Sequence, residues 1–384
     1  MACAIEALGL SPLYSSSSGA ESTEKASECL KDCNTIIRQL IAKDIKPLDI
    51  VTKKSLENAT AVIMALGGST NFTLHILAIA KSAGIDFTLN DIQRISDQTP
   101  YLANFRPLGK YFMSYLSKVG GTPAVMKYLL EKKLLHGDCL TIYGTSLEEL
   151  LSKIDSRILF DNPSGLSDVI FPIERAVMNH GPMAVWYGNI ATRGAVTKWS
   201  DKYGYLFFLF FLYFCESERY FKGKALCFDG ESDFMKAVLQ DKLLEKLEKD
   251  ENPHVCIIRY EGPKGAPGMP ELHTPASVIT GANLQHKVAL ITDGRFSGAS
   301  CGFIIGHITP EAFEGGNISL IQNGDTIELN GDKKRLDVLN VDDQEWQKRK
   351  QQWKKPELKY RTGVLYKYVQ LVQDASTGCI TDSA

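Results

Sequence analysis

The sequence predicts an α/β protein in which a helix-rich first part is followed by a β-rich second part. With 384 residues the chain is too long for one simple core, and a prior of about 150 residues per domain suggests two or three domains. Apolar segments of helical length, separated by short breaks, fill residues 1–155. Short β-like runs dominate from about residue 168 onward.

The helices of the first part are marked by glycine and by capping residues. The apolar segment AVIMALGG is predicted to be a helix that ends at the glycine pair 67–68. Ser69, Thr70 and Asn71 then supply polar groups at the start of a second apolar helix, FTLHILAIAKSAG, which Gly84 is predicted to close. Further helices are predicted to begin at Thr88 and at Thr122.

The second part combines predicted strands with a long helix and a charged tail. A turn cluster, DNPSG at 161–165, marks the change of character. The β-like runs are MAVWYGNIA, GKALCFD, HVCIIRYEG, KVALITDG and ISLIQNGDTIEL. The segment at 231–250 is predicted to be a helix, and the tail at 342–373 is charged and then helical.

Composition and charge exclude several classes of protein. Hydrophobic residues make up 44% and charged residues 23%, which rules out a disordered, collagen-like or coiled-coil chain. The net charge of −2 argues against a nucleic-acid binder that depends on a basic field. The nine cysteines are odd in number and contain no C-x-x-C pair, so they indicate reduced thiols and give no local zinc signature.

One apolar run, YGYLFFLFFLYFC at 203–215, does not fit this scheme. Its thirteen residues are fewer than the about 20 that a membrane-spanning helix needs. Three interpretations remain open: a buried strand or loop, a peripheral membrane contact, and translated intron sequence.

Two loops that follow predicted strands carry candidate site residues. Glu261 begins EGPKGAPGMPE after the strand HVCIIRY, and it is either a metal ligand or base, or a solvated loop acid. Ser297 lies in TDGRFSG after the strand KVALI, and it is either a nucleophile or base, or a structural serine. Arg295 in the same loop can pair with a carboxylate through two hydrogen bonds.

A third candidate is the turn between the two apolar helices. Ser69, Thr70 and Asn71 place hydroxyls and free backbone N–H groups at a helix N-terminus, which is an anion site. An ordinary capped turn between helices explains the same residues. These three residues and Arg295 are the candidates for substrate binding.

Eight segments together resemble the dihydroxy-acid dehydratase family, which is grouped with phosphogluconate and sugar-acid dehydratases. They are MALGGSTN, RISDQTPYLA, LLHGDCLT, WYGNIA, YEGPKGAPGMPE, TDGRFSGAS, GHITPEA and LYKYVQLV, and they span nearly the whole chain. The resemblance implies the rear part of a helix-rich α/β N-terminal domain at 1–160. It also implies a C-terminal, β-rich, swivelling β/α barrel-like domain at 166–384, with an insertion at 203–219.

The resemblance implies a hydro-lyase that removes water from a 2,3-dihydroxy carboxylic acid and yields a 2-keto acid precursor of valine or isoleucine. It implies an iron–sulfur cluster that acts as Lewis acid on the 3-hydroxyl and a Mg²⁺ that holds the carboxylate and 2-hydroxyl. In the family motifs, Ser297 matches the serine that takes the C2 proton, and Glu261 matches a glutamate that ligates Mg²⁺.

The same resemblance implies that this chain contains no iron–sulfur ligands. The family's three cluster cysteines and its other Mg²⁺ ligands precede the position of Met1, and none of the nine cysteines stands in a cluster motif. Cys301 stands where relatives usually have histidine. We therefore expect an enzyme whose front part is missing from this sequence or, as the alternative, a non-catalytic fragment that acts only as a partner of a full-length copy.

The expected partners are a small-molecule dihydroxy acid and a second copy of the chain in a homodimer, without nucleic acid and without membrane. The N-terminal segment MACAIEALGL has the features of neither a signal peptide nor a transit peptide. The family's distribution implies a mitochondrion or plastid for a eukaryotic protein and the cytoplasm for a bacterial one.

Overall fold

The computed structural model describes residues 1–19, 22–106, 109–162, 164–198, 220–296 and 302–382. Three features of the sequence lie outside these residues: the candidate Ser297, the departure at Cys301, and the apolar run 203–215 with the predicted insertion 203–219.

The described residues form two compact units, one from Met1 to Met183 and the other from Ala184 onward. The first unit is helical, as predicted. Its α-helices are α1 (Ala2–Ala7), α2 (Thr23–Ala42), α3 (Pro47–Ile50), α4 (Lys53–Leu66), α5 (Asn71–Ser82), α6 (Leu89–Gln98), α7 (Gly121–Glu131) and α8 (Leu147–Leu151). Its short 3-10 helices are Met113–Val119, Ser156–Leu159 and Ile173–Arg175.

Helix α4 is the buried centre of the first unit. A capping box fixes its start, because Thr52 and Ser55 each accept the other's backbone N–H through the side-chain hydroxyl. Every residue from Asn58 to Leu66 is buried, which explains why apolar side chains cover all sides of this helix. The helix ends at Gly67, whose φ of +67° is left-handed and where a Cβ would lie 2.5 Å from the Tyr101 ring.

A buried glutamate holds the loop that follows α1. Glu6 is 2% exposed, and its carboxylate accepts the N–H of Tyr14 at 2.7 Å and of Ser16 at 2.9 Å. Burial raises the pKa of Glu6, and the bonds from Ser16 and Tyr14 oppose the rise. The Ser16 hydroxyl also lies 2.8 Å from Thr122 Oγ1 in α7, so this serine-rich segment is tied to two helices.

The second unit is built on an eight-stranded sheet. Its strands are β1 (Met183–Trp186), β2 (Gly194–Lys198), β3 (Tyr220–Phe228), β4 (His254–Ile258), β6 (Val288–Thr292), β8 (Ile304–Thr309), β9 (Thr326–Asn330) and β10 (Arg335–Val338), while β5 (Glu271–Leu272) and β7 (Arg295–Phe296) form a separate pair. Its α-helices are α9 (Glu231–Gln240), α10 (Leu243–Lys249), α11 (His273–Gly281), α12 (Asp343–Gln352) and α13 (Gly363–Leu371). None of the helices in the described ranges is long and apolar enough to cross a membrane.

The strands of the sheet follow the order β1-β2-β8-β6-β4-β3-β9-β10. Strands β3, β4, β6 and β8 are parallel to one another, whereas β2, β9 and β10 pair antiparallel with their neighbours. Strands β4 and β6 are buried along their whole length, as their uninterrupted apolar sequences predict. Apolar side chains of α9, α10 and α11 pack in one core with residues of these strands, among them Phe234, Leu247, Ile258 and Leu290.

The sheet nearly closes into a barrel through the segment WYGN. The N–H of Leu336 in β10 donates to the Tyr187 carbonyl at 2.8 Å, directly after β1. A Cβ at Gly188 would lie 1.9 Å from the Leu336 carbonyl oxygen, so only glycine fits this approach. The Asn189 side chain completes the seam by bonding both the N–H and the carbonyl of Val338. This closure confirms the α/β class and the barrel-like second part.

Three local predictions need correction. The run ISLI, predicted as a strand, is a 3-10 helix at Asn317–Leu320, because so short an apolar run has no periodicity that separates the two structures. The helix predicted over 231–250 is two helices, α9 and α10, since Lys242 between them has a left-handed φ of +54°. Strands β2, β8 and β10 lie outside the predicted runs, because their four to six residues carry weak periodicity.

Candidate functional site

Loops with acidic residues meet at one edge of the barrel sheet. Because β3, β4, β6 and β8 are parallel, their carboxyl ends lie at the same edge. Glu261 follows β4, Asp293 follows β6, and Glu311 follows β8. Their exposed fractions are only 7%, 0% and 1%, respectively. This edge therefore concentrates buried acids, which is a feature of functional sites.

Asp293 connects the loops after β4 and β8. Its Oδ1 accepts the Glu261 N–H at 2.9 Å, and its Oδ2 accepts the N–H groups of Tyr260 at 3.1 Å and Ala312 at 2.8 Å. Burial raises the pKa of Asp293 to about 6, against the opposing effect of these three bonds. Tyr260 has a left-handed φ of +65°, so Asp293 stabilises a strained backbone directly before Glu261.

Glu311 holds the next part of the same loop. Its Oε1 accepts the Lys264 N–H at 3.0 Å, and its Oε2 accepts the Gly265 N–H at 3.0 Å. Burial and then the nearby charge of Asp293 raise the pKa of Glu311 to about 8. A Cβ at Gly262 would lie 2.5 Å from Glu311 Oε2, so the loop can wrap this carboxylate only because residue 262 is glycine.

The Glu261 carboxylate lies at the start of α9. Its Oε1 accepts the Glu231 N–H at 2.8 Å, and α9 begins at this residue. Burial raises the pKa of Glu261, while the Glu231 N–H and the charge of Lys359 act to lower it. Within the described part of the chain, Oε2 accepts no hydrogen bond. Among the three acids, Glu261 is therefore the one with a carboxylate oxygen that accepts no N–H group from the described residues.

The segment after α12 runs beside this edge. Trp353 donates its indole N–H to the Tyr260 hydroxyl at 3.2 Å, and its ring packs against Gly315, where a Cβ would be 3.1 Å away. Lys355 binds Glu314 at 2.9 Å, and the Lys264 ammonium binds the same carboxylate at 3.2 Å. The acidic edge is therefore bordered by lysines that belong to two different loops.

Arg295 lies close to the acids but is engaged by the loop itself. Its Nε donates to the Met269 carbonyl at 2.5 Å, and its guanidinium is 3.7 Å from the Glu271 carboxylate. These contacts support a role in holding the loop 261–272 against β7. Substrate binding by Arg295 stays a prediction, and the neighbouring candidate Ser297 lies outside the described residues.

The candidates Ser69, Thr70 and Asn71 lie in the first unit, between α4 and α5. Ser69 is exposed, and its hydroxyl accepts the Asn71 N–H at 3.3 Å. Thr70 occupies the N-cap position of α5, yet its side chain makes no capping hydrogen bond. The Ser69 hydroxyl therefore takes part in capping this turn, and the use of the turn as an anion site stays a prediction.

The described cysteines do not fit an iron–sulfur cluster. Cys3, Cys139 and Cys256 are buried separately, and no three His, Cys, Asp or Glu side chains in the described ranges are grouped as a metal site. Burial raises the pKa of Cys139 to about 11 and of Cys256 to about 12, which favours the thiol over the thiolate that iron needs.

A magnesium ion needs fewer protein ligands than an iron–sulfur cluster does. Mg²⁺ in enzymes is commonly held by one or two carboxylates together with water and substrate oxygens. Glu261 fits one such position, because Oε1 is fixed by Glu231 while Oε2 is unengaged by the described residues. Both oxygens of Asp293 and of Glu311 accept backbone N–H groups, so ligation of a cation by either acid would compete with its hold on the loops.

The sequence reasoning did not identify Asp293 and Glu311. Asp293 is the first residue after the apolar strand VALIT, much as Glu261 is the third residue after β4. Glu311 was hidden because β8 was not predicted as a strand. The signal that would have found both is an acid directly after each parallel strand.

Family models match most of this chain. The C-terminal model of the dihydroxy-acid/6-phosphogluconate dehydratases matches residues 168–379, and the N-terminal model matches residues 1–150. The first match alone covers more than half of the chain.

Curated relatives are similar over the full chain. The "Dihydroxy-acid dehydratase" of Flavobacterium psychrophilum is 48% identical, that of Francisella tularensis subsp. novicida is 46% identical, and the "Dihydroxy-acid dehydratase, chloroplastic" of Arabidopsis thaliana is 45% identical. Each match covers 100% of this chain but only 63%, 63% and 58% of the relative. The chain thus spans about three fifths of the length of the curated relatives that it matches.

Proposed function

The chain belongs to the dihydroxy-acid/6-phosphogluconate dehydratase family, and from this premise we propose that it is the rear part of a dihydroxy-acid dehydratase. Such an enzyme removes water from a 2,3-dihydroxy carboxylic acid and yields a 2-keto acid for the synthesis of valine or isoleucine. The printed names of relatives at 45–48% identity support this choice within the family.

The observation that supports this proposal is the group of buried acids at one edge of the barrel, Glu261, Asp293 and Glu311. A C2–H beside a carboxylate is only weakly acidic, so the enzyme must stabilise the negative charge that develops on the substrate. Glu261 is the proposed ligand of a Mg²⁺ that would hold the substrate carboxylate and 2-hydroxyl. Its low exposure and its unengaged Oε2 support this role, because a dry site strengthens electrostatic interactions.

Proton removal is proposed for Ser297, the residue that comes directly after β7 in the sequence. This role is carried by the motif TDGRFSG and by the position of that motif at the carboxyl end of β6. Arg295 and the first-unit residues Ser69, Thr70 and Asn71 are proposed to bind the substrate. The described residues supply no iron–sulfur ligands, so no step of the reaction is assigned to that cluster.

The proposed partners are a dihydroxy acid and a second copy of this chain. The plant relative carries the word chloroplastic in its name, and the other relatives named above are bacterial. We propose a plastid or mitochondrion for a eukaryotic source and the cytoplasm for a bacterial one.

The test is 2-keto acid formation from a 2,3-dihydroxy acid in the presence of Mg²⁺. The chain is assayed alone and joined behind the front part of a full-length relative, with wild-type, Glu261→Gln or Ser297→Ala sequence. We expect no turnover by the chain alone, and we expect turnover by the joined protein that both substitutions abolish. An inactive joined protein with wild-type sequence, together with binding of this chain to a full-length relative, would instead support the non-catalytic partner.

A further inference from the structure

We propose that Glu311 is a positioning residue for Glu261, because by holding the backbone of the following residues it sets the direction of the Glu261 carboxylate. The inference rests on the proposed role of Glu261 as a Mg²⁺ ligand. It gives a task to a buried acid whose two oxygens both accept backbone N–H groups.

The loop after Glu261 is wrapped around the Glu311 carboxylate. The N–H of Lys264 lies 3.0 Å from Oε1 and 3.2 Å from Oε2, and the N–H of Gly265 lies 3.0 Å from Oε2. Gly262 approaches the same oxygen so closely that a Cβ would meet it at 2.5 Å. The Glu311 side chain, which follows the carboxyl end of β8, therefore fixes the backbone of three of the four residues after Glu261.

Glu261 is thus held from both sides along the chain. Asp293 binds the N–H groups of Tyr260 and Glu261 itself, and Glu311 binds the residues that follow. A Cβ at Gly294 would lie 2.8 Å from the Glu261 Cβ, so the Glu261 side chain has little space next to the backbone at residue 294. With its backbone and Cβ fixed, Glu261 reaches the Glu231 N–H with Oε1.

This last contact makes the orientation of Glu261 measurable without any metal. The Glu231 N–H is protected from exchange while Glu261 Oε1 accepts it, and exchange quickens when the carboxylate turns away. A role of Glu311 in loop rigidity alone would change the exchange of the Lys264 and Gly265 N–H groups only. A positioning role changes that of Glu231 as well, although no hydrogen bond joins Glu231 to Glu311 among the described residues.

The experiment compares four variants of the 384-residue chain by amide hydrogen exchange. Glu311→Ala removes the acceptor, Glu311→Asp withdraws it by one carbon–carbon bond, and Glu311→Gln keeps a carbonyl oxygen at the original reach. The matched control is Glu314→Gln, because Glu314 binds the Lys264 ammonium where Glu311 binds the Lys264 N–H. Retained far-ultraviolet circular dichroism identifies the variants that fold.

We expect Glu311→Ala and Glu311→Asp to speed exchange at Glu231 by at least about tenfold, with Glu311→Gln restoring most of the protection and Glu314→Gln leaving it unchanged. If Glu311→Ala does not fold, the Asp and Gln pair gives the same contrast. Unchanged exchange at Glu231 in a folded Glu311→Asp variant overturns the proposal.

A second readout separates this inference from the proposed function. Binding of Mn²⁺, as a paramagnetic substitute for Mg²⁺, is titrated in the same variants and in Glu261→Gln. Positioning by Glu311 predicts weaker Mn²⁺ binding in Glu311→Asp than in Glu311→Gln. Binding that Glu261→Gln does not weaken refutes the metal role of Glu261, and the exchange of Glu231 still decides the role of Glu311.

Discussion

Buried carboxylates hold loops in both units, but the sequence separation between the carboxylate and the N–H groups that it binds differs between the units. In the first unit Glu6 binds the N–H groups of Tyr14 and Ser16, which are only 8 and 10 residues away. In the second unit Asp293 and Glu311 bind N–H groups 19 to 47 residues away, on loops that follow other strands. The Glu6 carboxylate therefore holds one loop, whereas the carboxylates of Asp293 and Glu311 connect several loops.

This difference distinguishes a carboxylate that stabilises a single loop from carboxylates that assemble a candidate functional site. A carboxylate that binds its own following loop can form as soon as that segment folds. Carboxylates that bind loops from neighbouring strands are in place only when the parallel sheet is complete. The acidic edge therefore gains its geometry from the whole barrel, and this is where we locate the chemistry.

Removing Asp293 gives the largest expected effect on stability. Asp293→Ala leaves three N–H groups without their acceptor, those of Tyr260, Glu261 and Ala312. We expect a loss of about 3–5 kcal/mol in the free energy of unfolding, since each buried unsatisfied donor costs about 1–3 kcal/mol. Urea unfolding followed by tryptophan fluorescence measures it, because Trp186, Trp346 and Trp353 lie in the second unit.

Asp293→Asn serves as the control, because it keeps one oxygen acceptor at nearly the same volume. Its expected loss is smaller than that of Asp293→Ala. Equal losses in the two variants would show that packing, and not hydrogen bonding to the loops, explains the effect.

Removing Glu6 gives a smaller effect in the other unit. Glu6→Ala leaves two N–H groups unsatisfied, so we expect a loss of about 2–3 kcal/mol. The loss is measured by urea unfolding followed by circular dichroism. A larger loss than that of Asp293→Ala would contradict the distinction between a local and a connecting carboxylate.

The connecting carboxylates of the second unit also predict a dependence of stability on pH. The folded state raises the pKa of Glu311 to about 8, so between about pH 5 and 7.5 the unfolded chain has lost a proton that the folded chain keeps. Stability therefore falls as the pH rises through this range, by at most about 1.4 kcal/mol per pH unit for one group. Glu311→Gln reduces this slope, most clearly above about pH 6, because Asp293 has a pKa of about 6 and contributes to the slope below that value. An unchanged slope in the variant would assign it to other groups.

Glu314→Gln gives the smallest expected effect. Glu314 is partly exposed and binds the ammonium groups of Lys264 and Lys355. Surface ion pairs contribute about 0–1 kcal/mol, so we expect a change in unfolding free energy below about 1 kcal/mol. A change as large as that of Asp293→Ala would show that charge, and not the hold on backbone N–H groups, stabilises the edge.

The sequence was sufficient for the fold class and for part of the candidate site. Uninterrupted apolar segments predicted α4, β4 and β6, and glycine predicted the end of α4. The position of Glu261 directly after an apolar, strand-like run was enough to make it a candidate. These features depend on residues close together in the chain.

Features that depend on distant residues were not predicted. Glu311 acts on Lys264 and Gly265, 47 and 46 residues earlier, and nothing in the sequence around it shows this. The run ISLI became a 3-10 helix because four apolar residues fit either structure. Packing between segments decided both cases, and single-segment patterns contain no information about it.

The seam at Gly188 and Asn189 has a consequence for behaviour at high concentration. Strands at the edge of an open sheet present unpaired N–H and carbonyl groups, to which the strands of another molecule can add. Here the residues after β1 bond to β10, so the first and last strands of the described sheet cover each other's edge. A residue bulkier than glycine at position 188 would open that seam and expose the edges of β1 and β10. Gly188 therefore protects the protein from aggregation through these two strand edges.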